Sequence, residues 1–366
     1  MTRSDDMAIK RVRIREFMEI HGLGGVLFTL QKNFSWYTSG GRGYIATTTD
    51  KSAGQILATP NQDYLIANNI ETNRFLKEEG LGELGIRPLS YRWDADASDI
   101  NQLTERVLAG KKHTTDVGPH AAEIDHLRYS LTPLEVERYR ALGRDCEAAM
   151  NDVARSIEPG MTEWQIAGRL QCALADKQVI GAVVLVAADE RISLYRHPIP
   201  TNKRLENRAL LVTCGRRHGL IVSLSRMVSF GAVSDDLRRR HDACMAVDAT
   251  FIESTTVGAD VDEIVQKAID TYEEHGFTEE WTLHHQGGGT GYETRDFRGT
   301  LHSKEVVQPW QAYAWNPSIT GTKTEDTIIA TPDGPEIISL SKDWPVKEFN
   351  TARGGPRIVR PDILVR

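Results

Sequence analysis

The sequence predicts an α/β protein in two parts: a small N-terminal α/β domain over residues 1–125 and a larger C-terminal α+β domain over 130–366. Three observations carry that prediction. Strand-like and helix-like stretches alternate over the first part. Two long helices follow, each opened by its own capping box. The last stretch of the chain is strand-rich.

Apolar positions over 8–21 predict a helix that Gly22 and Gly24 end. Buried-type strands follow at 25–30, 55–59 and 64–67. Short helices at 71–79 and 99–108 are closed by Gly80 and Gly110. A boundary falls near 118–131. Thr132 then caps a helix with Pro133 at its first position and Glu135 completing the box, and Glu158-Pro-Gly160 stops it. Thr162 and Gln165 repeat the device for a helix to about 177. A strand at 181–187 and a hairpin at 209–214 and 219–227 come next. Ser234 caps a helix through 252, and 261–274 is a further helix. Strands at 312–316, 327–330 and 336–339 complete the prediction.

The 366 residues are 40% hydrophobic and 26% charged, as expected of a globular chain. Lysine and arginine total 44 against 51 acidic residues, a net charge of −7. That balance argues against nucleic-acid and anionic-membrane surfaces. No apolar run approaches the roughly 18 residues that span a bilayer. The charged start lacks an apolar signal region, and Cys146, Cys172, Cys214 and Cys244 form no CxxC pair. The expectation is a cytoplasmic protein with reduced thiols.

Four segments carry chemistry. They are the paired capped helices around Glu158-Pro-Gly160, then Tyr195-Arg-His197-Pro, then Val212-Thr-Cys-Gly215 with Ser223-Leu-Ser-Arg226. The last runs from His284-His-Gln-Gly-Gly-Gly-Thr-Gly291 through Trp315-Asn-Pro317 to Thr324-Glu-Asp-Thr327. In this order and spacing they resemble the pita-bread superfamily of creatinase, aminopeptidase P and prolidase. The resemblance covers nearly the whole chain and implies a C-terminal pita-bread domain behind a creatinase-like N-terminal domain.

The peptidases of that superfamily bind two metal ions through two Asp, one His and two Glu, because hard divalent ions need dense carboxylate ligation. The resemblance pairs those positions with Thr213, Ser223, Gly288, Asn316 and Glu325. One ligand of five remains, which implies no dinuclear metal and no cofactor. The resemblance retains His197 and His284 and places Arg295 where the family has a further histidine. The expected catalytic residues are His197, His284 and Glu325. The expected substrate-binding residues are Trp36, Arg42, Thr213, Ser223, His285, Tyr292, Arg295 and Asn316.

Each residue also has a plainer reading. His285 is expected to face away from its neighbour on a strand. The glycines at 287–289 suit close strand approach better than an anion cradle. Cys214 reads as a packed core thiol. A zinc site from His197, His284, His285 and Glu325 has the right residue types but no His-x-x-x-His pair. The aromatic segment 33–44 reads as a glycine-rich loop, with Trp36 and Arg42 reaching a partner's site in a homodimer, as the resemblance implies. Trp344 is placed over the same cleft.

The resulting expectation is a metal-independent enzyme of creatinase type, a hydrolase or lyase. It would break or eliminate a C–N bond in a small nitrogen-containing metabolite by histidine acid/base catalysis. The alternatives are a non-catalytic pseudo-peptidase that binds a partner, and a metal-dependent Xaa-Pro peptidase.

Overall fold

The computed structural model describes residues 1–350 and 357–366. The chain divides into Met1–Glu135 with His218–Leu220, and Val136–Arg217 with Ile221–Arg366. The division falls inside the first turn of the helix that Thr132 opens, beyond the expected boundary at 125–130. Glu135 is tied to the first unit by a buried ion pair: Lys10 Nζ lies 2.7 Å from Glu135 Oε1 and 2.7 Å from Asp6 Oδ2. Glu135 also accepts from the Thr132 backbone N–H at 2.7 Å, which completes the capping box.

The first unit carries helices α1 (Arg3–His21), α2 (Gln31–Tyr37), α3 (Thr72–Lys77), α4 (Ala97–Leu108) and α5 (Ala121–His126). Its strands are β1 (Gly25–Leu30), β2 (Lys51–Ala58), β3 (Asp63–Asn68), β4 (Arg87–Tyr91) and β5 (His113–Thr115). They form one sheet in the order β4-β3-β2-β1-β5. The outer pairs β3–β4 and β1–β5 are parallel, and the inner pairs are antiparallel. Helix α1 starts earlier than the sequence predicts, because Thr2 and Asp5 form a capping box ahead of the apolar stripe. The expected loop at 33–44 is helical at its start. Trp36 and Tyr37 pack on Phe28 of β1 with ring centroids 6.3 and 5.0 Å away, and burial of these rings fixes α2.

The second unit carries α6 (Pro133–Ser156, apart from its first turn), α7 (Glu163–Asp176), α8 (Arg191–Leu194), α9 (Asp235–Ser254) and α10 (Val261–Glu274). Its first sheet uses β6 (Ile180–Ala188), β7 (Arg208–Arg217) and β8 (Leu220–Ser229). Strands β9 (Gly287–Thr290), β10 (Gln311–Trp315), β11 (Ser318–Ile319), β12 (Thr322–Lys323), β13 (Asp326–Thr331) and β14 (Gly334–Ile337) follow. The chain ends in β15 (Val346–Phe349), β16 (Ile358–Pro361) and β17 (Leu364–Val365). Two four-stranded sheets result, β17-β8-β7-β6 and β14-β13-β10-β9. A bridge between Ser225 and Glu325 joins β8 to the segment entering β13.

Helices α9 and α10 cover the second sheet. Phe251 stacks on Trp315 at 4.4 Å between ring centroids, and Trp315 Nε1 donates to Thr255 Oγ1 at 2.9 Å. The glycine run makes this sheet possible. A Cβ on Gly287 would stand 2.3 Å from the Ala314 carbonyl oxygen, and one on Gly288 2.2 Å from that of Phe297. Both glycines have positive φ, so the run serves close backbone approach.

A sealed ion cluster ties four elements together. Arg226 of β8 and Arg360 of β16 reach Asp326 at 2.8 and 2.7 Å, and Arg360 Nε donates to Asp248 of α9 at 2.8 Å. All four side chains are at most 1% exposed. Trp344 belongs here rather than over the cleft. It is buried, its Nε1 donates to the Asp362 carbonyl, and its ring lies 5.7 Å from the Arg226 guanidinium.

Candidate active site

The second unit holds a cavity of about 320 Å³. Val183 and Leu185 of β6, Val212 of β7 and Ile199 form its apolar wall. Strand period places Val183 and Leu185, two residues apart, on one face. His197, His285, Arg295, Lys323 and Glu325 also line the cavity, with Asn316, Thr294 and Cys214.

Three imidazoles meet at one edge. His197 Nε2 lies 3.1 Å from His284 Nε2, and the His284 and His285 ring centroids are 4.4 Å apart. The segment carrying His197 is held there by Arg196, which donates to Glu280 Oε2 at 2.7 Å and to Thr320 Oγ1 at 3.0 Å. Glu280 begins the short 3₁₀ turn Glu280–Leu283, which His284 follows. Adjacent His284 and His285 both reach the cluster because they lie in the bend between that turn and β9. Strand alternation therefore does not apply, and the expectation that His285 faces away is corrected.

Burial and the Lys323 ammonium lower the basicity of His197 and hold His284 at about 2. Burial and the Arg295 guanidinium hold His285 at about 4. The imidazoles are therefore neutral near neutral pH.

Glu325 is the pocket's carboxylate among the described lining residues. Arg295 Nη2 donates to its Oε1 at 2.9 Å, Ser225 Oγ donates to its Oε2 at 2.7 Å, and Lys323 Nζ lies 3.2 Å away. Burial opposes its charge, but Lys323 and Arg295 outweigh that and hold the carboxyl at about 2.

His197, His285, Arg295, Asn316 and Glu325 thus line one cavity, with His284 against the first two. Thr213 does not line it: its hydroxyl donates to the Val183 carbonyl at 3.1 Å. The Ser223 hydroxyl is buried against Cys214 Sγ at 3.2 Å. Tyr292 is buried and is no lining residue. Trp36 is fully buried in the first unit, so it is not a lid. Arg42, also in that unit, pairs with Glu79, with Nε to Oε1 at 2.8 Å.

Sequence reasoning missed Lys323. The signal was its position two residues before Glu325, which strand period sends to the same side. Cys214, taken as core, is a free buried thiol that also touches the cavity, and burial raises its pKa.

The model of metallopeptidase family M24 matches residues 137–332. The Xaa-Pro dipeptidase of Lactobacillus helveticus is 24% identical over 260 residues, covering 67% of this chain and 69% of the relative. Dipeptidase PepE from Mycobacterium ulcerans superposes with a TM-score of 0.77 at 17% identity, covering 99% of this chain and 98% of that one. The prolidase from Pyrococcus horikoshii gives 0.75 at 18% identity, covering 91% and 98%. These similarities give the pita-bread fold with its N-terminal domain. They overturn the expectation of a metal-independent creatinase-type enzyme acting on a small nitrogen-containing metabolite, because the family is one of metallopeptidases and the matches are dipeptidases and prolidases. With the match spanning more than half of its length, the chain belongs to metallopeptidase family M24.

Proposed function

We propose that the chain is a hydrolase of dipeptide-sized substrates carrying a free carboxylate, with Xaa-Pro dipeptides the first candidates. The observation that carries this reading is the charge pattern of the cavity. Two cations, Arg295 and Lys323, stand against one carboxylate beside an apolar wall in about 320 Å³. That volume is at the small end for ligand pockets and suits a short substrate. Arg295 Nε is buried without a hydrogen-bond partner, and so is Asn316 Oδ1. A substrate carboxylate and a substrate N–H would satisfy them, because an unpaired buried polar group is costly. The apolar wall accepts a ring such as that of proline. The imidazoles of His197 and His285 face the same space.

The dinuclear centre implied by the family does not fit these residues. Thr213 and Ser223 turn their hydroxyls to protein partners, Gly288 has no side chain, and Glu325 is held by two cations. Two hard divalent ions require several carboxylates, so no step of the hydrolysis runs through such a pair.

The test is a panel of Xaa-Pro and other dipeptides, each as free acid and as C-terminal amide, assayed with added divalent ions. Free acids should be cleaved, and amides should lose about 10- to 100-fold in kcat/KM, as expected for losing a charge-assisted hydrogen bond. Failure to cleave any dipeptide with any ion would remove the reading.

A further inference from the structure

The imidazole cluster has the geometry of a metal site. One ring nitrogen from each of His197, His284 and His285 lies within 4.8 Å of the other two. Zinc held tetrahedrally by nitrogens at about 2.0–2.1 Å keeps its ligands roughly 3.3 Å apart. The 3.1 Å between His197 Nε2 and His284 Nε2 is close to that spacing, and a ring adjustment brings in His285. The Nδ1 atom of His285 is buried without a hydrogen-bond partner. Histidines packed only for stability normally satisfy such atoms. The donor type selects the ion: imidazole suits zinc, whereas magnesium and manganese prefer oxygen ligands.

We propose that His197, His284 and His285 bind one zinc-class divalent ion at the edge of the cavity. This deepens the hydrolase reading and rests on it only for what the ion would do there. A three-imidazole site leaves a position for water and supplies its activation. Arg295 and Lys323 line the same cavity and oppose a further positive charge. Removing the Lys323 charge should therefore tighten the ion.

The test uses the chelator-treated full chain with His120→Ala in all samples. That background removes the partly exposed His21–His120–Glu123 group, which is a second cluster of ligand-type side chains among the described residues. Calorimetric titration with Zn²⁺ should give one ion per chain, with Mn²⁺ at least about 10-fold weaker. His197→Ala, at an exposed position, and His285→Ala should each weaken Zn²⁺ by about 10-fold or more, and Lys323→Met should strengthen it. Co²⁺ should give the visible absorption of a tetrahedral site in the His120→Ala chain and lose it in His197→Ala. No Zn²⁺ uptake, unchanged affinity in both histidine variants, or a preference for Mn²⁺ would overturn the site. Zn²⁺ uptake with this pattern but no dipeptide cleavage would uphold the site and remove only the substrate reading.

Discussion

Glu325 and Asp326 are adjacent in sequence and anchor two different ion clusters. Asp326 lies with Arg226, Arg360 and Asp248 in a sealed group that links β8, β13, β16 and α9. Glu325 lies with Arg295 and Lys323 on a cavity wall. Both set carboxylates among cations, and access separates them. The sealed group can only hold elements together, whereas the cavity group can trade a partner for a ligand. A buried ion pair is therefore not by itself a sign of function; the neighbouring empty space is what distinguishes the two.

The largest effect should come from breaking the sealed group. Asp326→Ala leaves two buried guanidiniums short of a partner and should destabilise the fold by about 3–5 kcal/mol, read by denaturant unfolding. A loss comparable to that of Glu325→Gln would erase the distinction between the clusters.

Next comes the cavity group. Arg295→Ala should raise KM for a free-acid dipeptide by about 10- to 100-fold, with the melting temperature changed far less than in Asp326→Ala. An unchanged KM accompanied by a large drop in melting temperature would move Arg295 to the structural side.

Titration gives a smaller effect of opposite sign in the two groups. Burial, reinforced by Asp326, pushes Asp248 up to about 6 from 3.8. Between those values the folded chain holds a proton that the unfolded chain releases. Its contribution is complete below pH 3.8 and is lost as the pH rises through 6. Glu325 sits at about 2 against 4.5, so its contribution is present above pH 4.5 and is lost as the pH falls towards 2. Melting curves against pH should show Asp248→Asn flattening the first window and Glu325→Gln the second. The same window for both would break the contrast.

The smallest effect belongs to a pair open on one side. Arg42 is 57% exposed beside the buried Glu79, which keeps Arg74 at 3.4 Å, so Arg42→Ala should cost about 1 kcal/mol. It should leave kcat/KM unchanged at concentrations that favour self-association. A large loss of activity there would return Arg42 to a substrate-binding role in a partner's site.

Some of this site was legible before any coordinates. Glu325, His197 and Arg295 were named from the order of their motifs, and the structure brings them to one cavity. Thr213 follows from the same motifs and does not line it, and Trp36, which the aromatic segment 33–44 suggests, is buried in the first unit. The difference is orientation. A motif gives a residue's place along a strand or helix, but twist and bulges set the side it faces, and β6 and β7 shift register between Gly181 and Val183. For Lys323 the sequence offers only its place two residues before Glu325, and the fold brings the two within 3.2 Å.

The sequence by itself determined what is local. Capping boxes at Thr132 and Thr162, the Ser234 cap and the apolar period of the helices act within a few residues, so they are readable without a fold. The spacing of segments along the chain was enough to identify the superfamily. Tertiary structure alone decided that His197 and His284, 87 residues apart, share a 3.1 Å contact. It also placed one carboxylate of an adjacent pair in a sealed cluster and the other on a cavity wall. The physical reason is that caps and periodicity are settled by neighbours along the chain. A site is settled by which distant side chains the packed core forces together, and by where that packing leaves room.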